Sequence, residues 1–97
     1  MKIEMTPKLH PRRGGEVKIG NVYNNPHGKT FYKVVVGMPT QTARGNRSYR
    51  NVVCLHISTS GEVVGCSANP ADYISNHQDL VGQVKNMPTL KIEWFEK

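Results

Sequence analysis

Acidic residues are missing from nearly half of this sequence. No Asp or Glu occurs between Glu16 and Glu62, although the chain holds seven acids in all. Ten of the thirteen Lys and Arg lie in residues 1–50, beside only Glu4 and Glu16, whereas residues 51–97 carry three cations against five carboxylates. A first half so one-sided points to an anionic partner, unless the two halves fold over and neutralise each other. Long apolar runs are missing too. The longest are pieces such as Val34-Val35-Val36, far short of the ~20 residues that carry a helix across a bilayer, so no membrane partner is expected. Residues 1–7 lack the apolar stretch of a secretory signal, and a cytoplasmic location is expected. Cysteine is limited to Cys54 and Cys66, without a Cys-x-x-Cys pair, and both are expected as free thiols in a reducing compartment.

What remains is a short chain, 97 residues with 37% hydrophobic content, enough for one domain around a modest core. Residues 1–16 read as an N-terminal arm and basic loop, broken by Pro7, Pro11, Gly14 and Gly15, and residues 17–97 as a single β-rich domain. Val17 to Tyr23 alternates and then bends at Gly20; Asn24 to Gly28 is a turn by composition; Phe31 to Met38 is a β-branched and aromatic strand. Pro39 ends that strand, and Thr40 to Asn46 reads as a polar loop. Asn51 to Ser58 and Glu62 to Cys66 form a hairpin about Thr59-Ser60-Gly61. Asn69 as N-cap, Pro70 in first position and Asp72 in the first turn start a helix. Tyr73, Ile74, His77, Leu80 and Val81 continue it at helical spacing to Gly82. A last strand spans Pro88 to Phe95, with Leu90, Ile92 and Trp94 inward, and is expected to close the curled sheet that the first four antiparallel strands form. The expected fold is α+β, mainly β: a small antiparallel sheet or partly open barrel, with one helix before the last strand. Its expected core is Val17, Ile19, Val22, Phe31, Val34, Val36, Val53, Leu55, Ile57, Val64, Tyr73, Ile74, Leu80, Val84, Leu90, Ile92 and Trp94.

Motifs for chemistry are scarce. Gly28-Lys29-Thr30 resembles the end of a phosphate-binding loop, but Tyr23 stands where the leading glycine belongs and a strand follows instead of a helix. Cys54, His56, Cys66 and His77 lack the paired spacing of a structural zinc site; buried thiols and a core histidine are the simpler expectation, with no metal and no cofactor. No nucleophile stands beside a histidine with an orienting group, and no carboxylate pair suits acid–base work, so no catalytic residue is assigned and the chain is expected not to be an enzyme. The remaining signal is Thr42 to Arg50, where Arg44, Arg47 and Arg50 recur every third residue around Gly45 and Tyr49. Arginine binds phosphate bidentately, and an aromatic ring stacks on bases. Lys8, Arg12 and Arg13 extend this set, giving a nucleic-acid-binding surface of Lys8, Arg12, Arg13, Arg44, Arg47, Tyr49 and Arg50, with DNA and RNA both open.

The pattern Ile19-Gly20-Asn21-Val22-Tyr23, the Pro26-His27-Gly28 turn and Phe31-Tyr32-Lys33-Val34-Val35 resemble the opening hairpin of small SH3-like barrels. Asp79-Leu80-Val81-Gly82, Met87-Pro88 and the closing Ile92-Glu93-Trp94-Phe95 are similar to short accessory proteins of enterobacterial phages and prophages. That resemblance implies a host-cytoplasmic setting and a small protein acting on host nucleic acid or host enzymes. Two kinds of partner follow: nucleic acid, or an acidic surface of a host protein that the chain inhibits or redirects. Phe95, on the outward face of the last strand, adds a homodimer as a third.

Overall fold

The computed structural model describes residues 2–7, 12–25, 31–38, 41–44 and 47–95, with the side chains of 41–44 and 47–50 outside that description. Its elements are β1 (Asn21–Asn24), β2 (Phe31–Gly37), β3 (Gln41–Arg44), β4 (Arg47–Ser58), β5 (Val63–Pro70), α1 (Ala71–His77), β6 (Asp79–Asn86) and β7 (Lys91–Trp94). The fold is α+β and mainly β, an open antiparallel sheet in the order β3-β4-β2-β1-β6-β7 with β5 on the other side of β4. The last strand does not close the sheet as expected: β7 pairs with β6 and stands at an edge.

Both faces of the sheet are buried, and by different elements. On one face Val22, Tyr32, Val34, Ile57, Val81, Leu90 and Trp94 pack with Ile3 of the N-terminal arm. On the other, Tyr23, Val35, Val52 and Cys54 pack with Val17 and with Ile74 of α1. Because side chains alternate along a strand, consecutive pairs such as Val22/Tyr23 and Val34/Val35 serve opposite cores. The expected core omits Ile3, Tyr23, Tyr32, Val35, Val52 and Val81, all buried, whereas Cys54 is buried as expected. Three residues expected inside are exposed, each for a local reason. Ile19 stands at the turn that Gly20 makes with φ +96°, Val64 is on edge strand β5, and Tyr73 faces away from Ile74 on α1. Of the pair Phe31 and Val34, Val34 is the fully buried one; Phe31 is half-exposed and stacks on His56 with ring centroids 4.5 Å apart.

The arm is part of the domain. Ile3 N–H donates to the Gly61 carbonyl at 2.7 Å, and Trp94 Nε1 donates to the Glu4 carbonyl at 3.5 Å. The arm thus spans from the β4–β5 turn to β7. Gly61 has φ +91°, and a Cβ there would overlap the Ile3 carbonyl oxygen, so both the turn and the arm require glycine.

The helix is shorter than its apolar spacing predicts. It starts at Ala71 with Pro70 as N-cap, makes no side-chain cap bond, and ends where Gln78 N–H donates to the Ile74 carbonyl at 3.0 Å. Asn69 is instead the penultimate residue of β5 and donates to Ser67 Oγ. Leu80 and Val81 belong to β6, where pairing with β1 gives backbone bonds to a whole strand, and that tertiary gain overrides a helical period. Two strands therefore follow the helix, not one. No helix among the described residues is long and apolar enough to cross a membrane.

Trp94 is 6% exposed and meets Tyr32 edge-on at 5.1 Å. Trp94→Ala is expected to lower unfolding free energy by about 3–5 kcal/mol. A denaturant titration giving a change below about 1 kcal/mol would show that the β7 end of this core is dispensable.

Candidate nucleic-acid interface

Of the stretch anticipated as a polar loop, Thr40 to Asn46, Gln41–Arg44 is strand, and Thr40, Gly45 and Asn46 lie outside the described residues. β3 resumes, with Gln41 opposite Arg50, the antiparallel pairing to β4 that β2 leaves at Gly37 opposite Val53. The order of pairs continues Thr42 with Tyr49, Ala43 with Ser48 and Arg44 with Arg47. On the far side of β4, β5 reaches only as far as Asn51, its residue Pro70 being the partner. Among the described residues, the four pairs of β3 and residues 47–50 therefore form a two-stranded ribbon that extends past the rest of the sheet. The elongated outline of the molecule, 42 × 27 × 22 Å, agrees with such an extension.

Strand parity sorts the ribbon positions. Arg44, Arg47 and Tyr49 occupy positions of one face, and Arg50, opposite Gln41, occupies the other. Arg44 directly opposite Arg47 is a like-charge cross-strand pair, an arrangement that weakens a hairpin by a few tenths of a kcal/mol to about 1 kcal/mol. Such a breach of local stability rules is where function is to be sought.

The other predicted cations are elsewhere. Asp79 is opposite Asn24, Asn24 opposite Tyr32 and Tyr32 opposite Ile57, so Asp79 is level with the end of β4 farthest from the ribbon. From Ile57 back to Arg50 the strand runs about 23 Å, and β6 is about 14 Å to the side of β4. Arg13 is at that distant corner. Its Nη2 and Nε donate to Asp79 Oδ1 at 2.9 and 3.1 Å. Arg12 exchanges backbone bonds with Leu80, and its guanidinium carbon stands 4.3 Å from the centre of the Phe95 ring. The sequence-predicted surface is thus split. Arg44, Arg47, Tyr49 and Arg50 share the ribbon, Arg12 and Arg13 are engaged by the second half of the chain, and Lys8 lies outside the described residues. Phe95, offered by the sequence as a dimer seed, lies beneath Arg12.

No family model, curated protein or solved structure matches the chain.

A polar cluster that the sequence reading missed lies on the helix-side face. His56 Nε2 and Ser67 Oγ are 2.8 Å apart, Asn69 Nδ2 donates to the same Oγ at 2.8 Å, and Phe31 covers the imidazole. Desolvation, helped by the Lys33 charge, holds the His56 pKa below 6.5, so the ring is neutral at neutral pH. The only signal in the sequence is the β4–β5 hairpin itself, which brings positions 56 and 67 to one face. The two thiols differ sharply. Burial pushes Cys54 up to about 11, while Cys66, expected to be buried, is exposed on β5. His77, expected as a core histidine, is exposed and stacks loosely on Tyr73 at 5.1 Å. At pH 8 a thiol reagent is expected to label one cysteine in the native chain, Cys66, and both after unfolding. Rapid native labelling of Cys54 would contradict its burial in the helix-side core.

Proposed function

We propose that this protein binds nucleic acid through the β3–β4 ribbon, with Arg44, Arg47 and Arg50 on phosphates and Tyr49 as a stacking surface. The observation that carries this reading is the register of Arg44 against Arg47 on a ribbon that, among the described residues, pairs with no third strand. Two arginines at directly opposed cross-strand positions repel each other unless an anion lies between them. The sequence offers no neighbouring acid for that role, since none occurs from residue 17 to 61. A phosphate, accepting bidentate hydrogen bonds from arginine, fits it.

The shape of the element favours duplex DNA over duplex RNA. A two-stranded ribbon enters the roughly 12 Å wide major groove of B-DNA, whereas the deep, narrow major groove of A-form RNA does not admit it. Contacts of this kind position the protein on the backbone and carry little sequence information. Arg12 and Arg13 are supports in this reading and not contacts, because Phe95 and Asp79 already hold them. The protein acts as a non-enzymatic binding module, and the phage-like sequence pattern suits a host-cytoplasmic role on nucleic acid.

In a mobility-shift titration, R44A/R47A is expected to bind duplex DNA at least about tenfold more weakly than wild type. Its plot of log affinity against log salt should be shallower by about 2, for two lost phosphate contacts. Arg13→Ala should leave both quantities unchanged. Wild-type protein that retains neither duplex nor single-stranded DNA nor RNA at low ionic strength would sink the proposal. A stoichiometric protein recovered from nuclease-treated lysate, released by the same double substitution, would then assign the ribbon to an acidic protein surface.

A further inference from the structure

The two edges of this sheet are built differently. β7 (Lys91–Trp94) is four residues long, alternates Lys91 and Glu93 on its exposed positions, and ties Glu93 to Lys85 at 3.3 Å. Short, charged edges of this kind resist pairing with another strand. β5 (Val63–Pro70) is eight residues long, and no charge occurs from residue 63 to 71. Val63 and Val64 are 46% and 60% exposed, and Gly65, Cys66 and Ala68 are exposed as well. Among the described residues, β5 pairs with β4 alone, so the backbone groups of its other side form an open ladder.

We infer that β5 is a self-association edge, and that its occupant is β5 of a second copy of this chain in antiparallel register. The backbone calls for a strand, since only a strand satisfies a row of N–H and C=O groups at ladder spacing. The side chains select the same segment. A foreign peptide is specified by charges or pockets along the edge, and the exposed row Val64, Cys66 and Ala68 offers neither. An antiparallel pair of identical strands has two-fold symmetry, so each residue meets only this uncharged segment. That matters for a chain of net charge +6, whose copies repel one another across most other surfaces. The pairing uses up the open edge of both copies, so assembly stops at two. Since Pro70 is opposite Asn51, the ribbon leaves the sheet at the C-terminal end of β5. Antiparallel joining therefore puts one basic ribbon at each end of a continuous sheet. The inference does not depend on what the ribbon binds.

Sedimentation equilibrium of the full chain, from low micromolar to submillimolar concentration, tests it. Wild type is expected to move from monomer to dimer mass and no further. The variant V64K/A68K should weaken the association at least about tenfold, by like charges facing across the pair. Its Trp94 fluorescence should match wild type, which reports an intact core on the arm-side face. Wild type that stays monomeric, assembles beyond two, or dimerises as strongly with both lysines in place overturns the inference. If V64K/A68K loses the Trp94 signal, amide exchange of the wild type decides. Protection at residues 63–69 that rises with protein concentration supports the paired edge, and concentration-independent exchange overturns it.

Discussion

Everything in this fold rests on a sheet whose central strands are covered on both faces. β1, β2 and β4 each supply neighbouring residues to two cores, Val22 and Tyr23, Val34 and Val35, Cys54 and Leu55. With fewer than a hundred residues, one helix of seven cannot cover a seven-stranded sheet. The second cover is the N-terminal arm, whose Ile3 is 2% exposed. Burial on both sides leaves few polar side chains in the middle of the sheet: Asn21, which donates to the Tyr23 hydroxyl and accepts from Gln83 Nε2, and Asn24, whose Oδ1 has no partner among the described residues. Desolvation there raises the Tyr23 hydroxyl above its ordinary pKa, with its bond to Asn21 acting in the opposite sense. Surface chemistry is therefore pushed outward, to the ribbon, the edges and the arm loop.

Register explains how the ribbon arises from an otherwise ordinary meander. β2 shifts register against β4 between Val35 and Gly37, and β3 then takes up the pairing with the first four residues of β4. β4, at twelve residues, is longer than β2 at seven or β5 at eight, because it serves β3 at one end and β2 with β5 at the other. A long strand flanked by two shorter partners must project, and the arginines occur where it does. The same geometry keeps Arg12 and Arg13 away: they belong to the corner where the arm joins β6.

Local signals in the sequence located the strands and turns well where the cause was local. The Thr59-Ser60-Gly61 turn, the bend at Gly20 and the strand through Phe31 to Val36 all follow from turn chemistry or β-branched composition, and all are present. Failures came where distant pairing decided the outcome. Thr42 and Ala43 carry no strand signal of their own and are strand because β4 is beside them. Leu80 and Val81 match a helical face and are strand because β1 is beside them. Of the candidate site, the basic character of residues 44–50 was legible and its structural form was not. The engagement of Arg13 by Asp79, 66 residues away, has no local signature at all.

The hydrogen bond from the Trp94 indole to the Glu4 carbonyl joins segments 90 residues apart. The arm-side core therefore draws on the first few residues and the last strand together, and lacks its lid until both are present. The arm also bonds the Gly61 carbonyl through Ile3, so one short segment clamps the β4–β5 turn and the edge strand β7 together. Loosening the arm would therefore uncover the arm-side core at both of its ends at once.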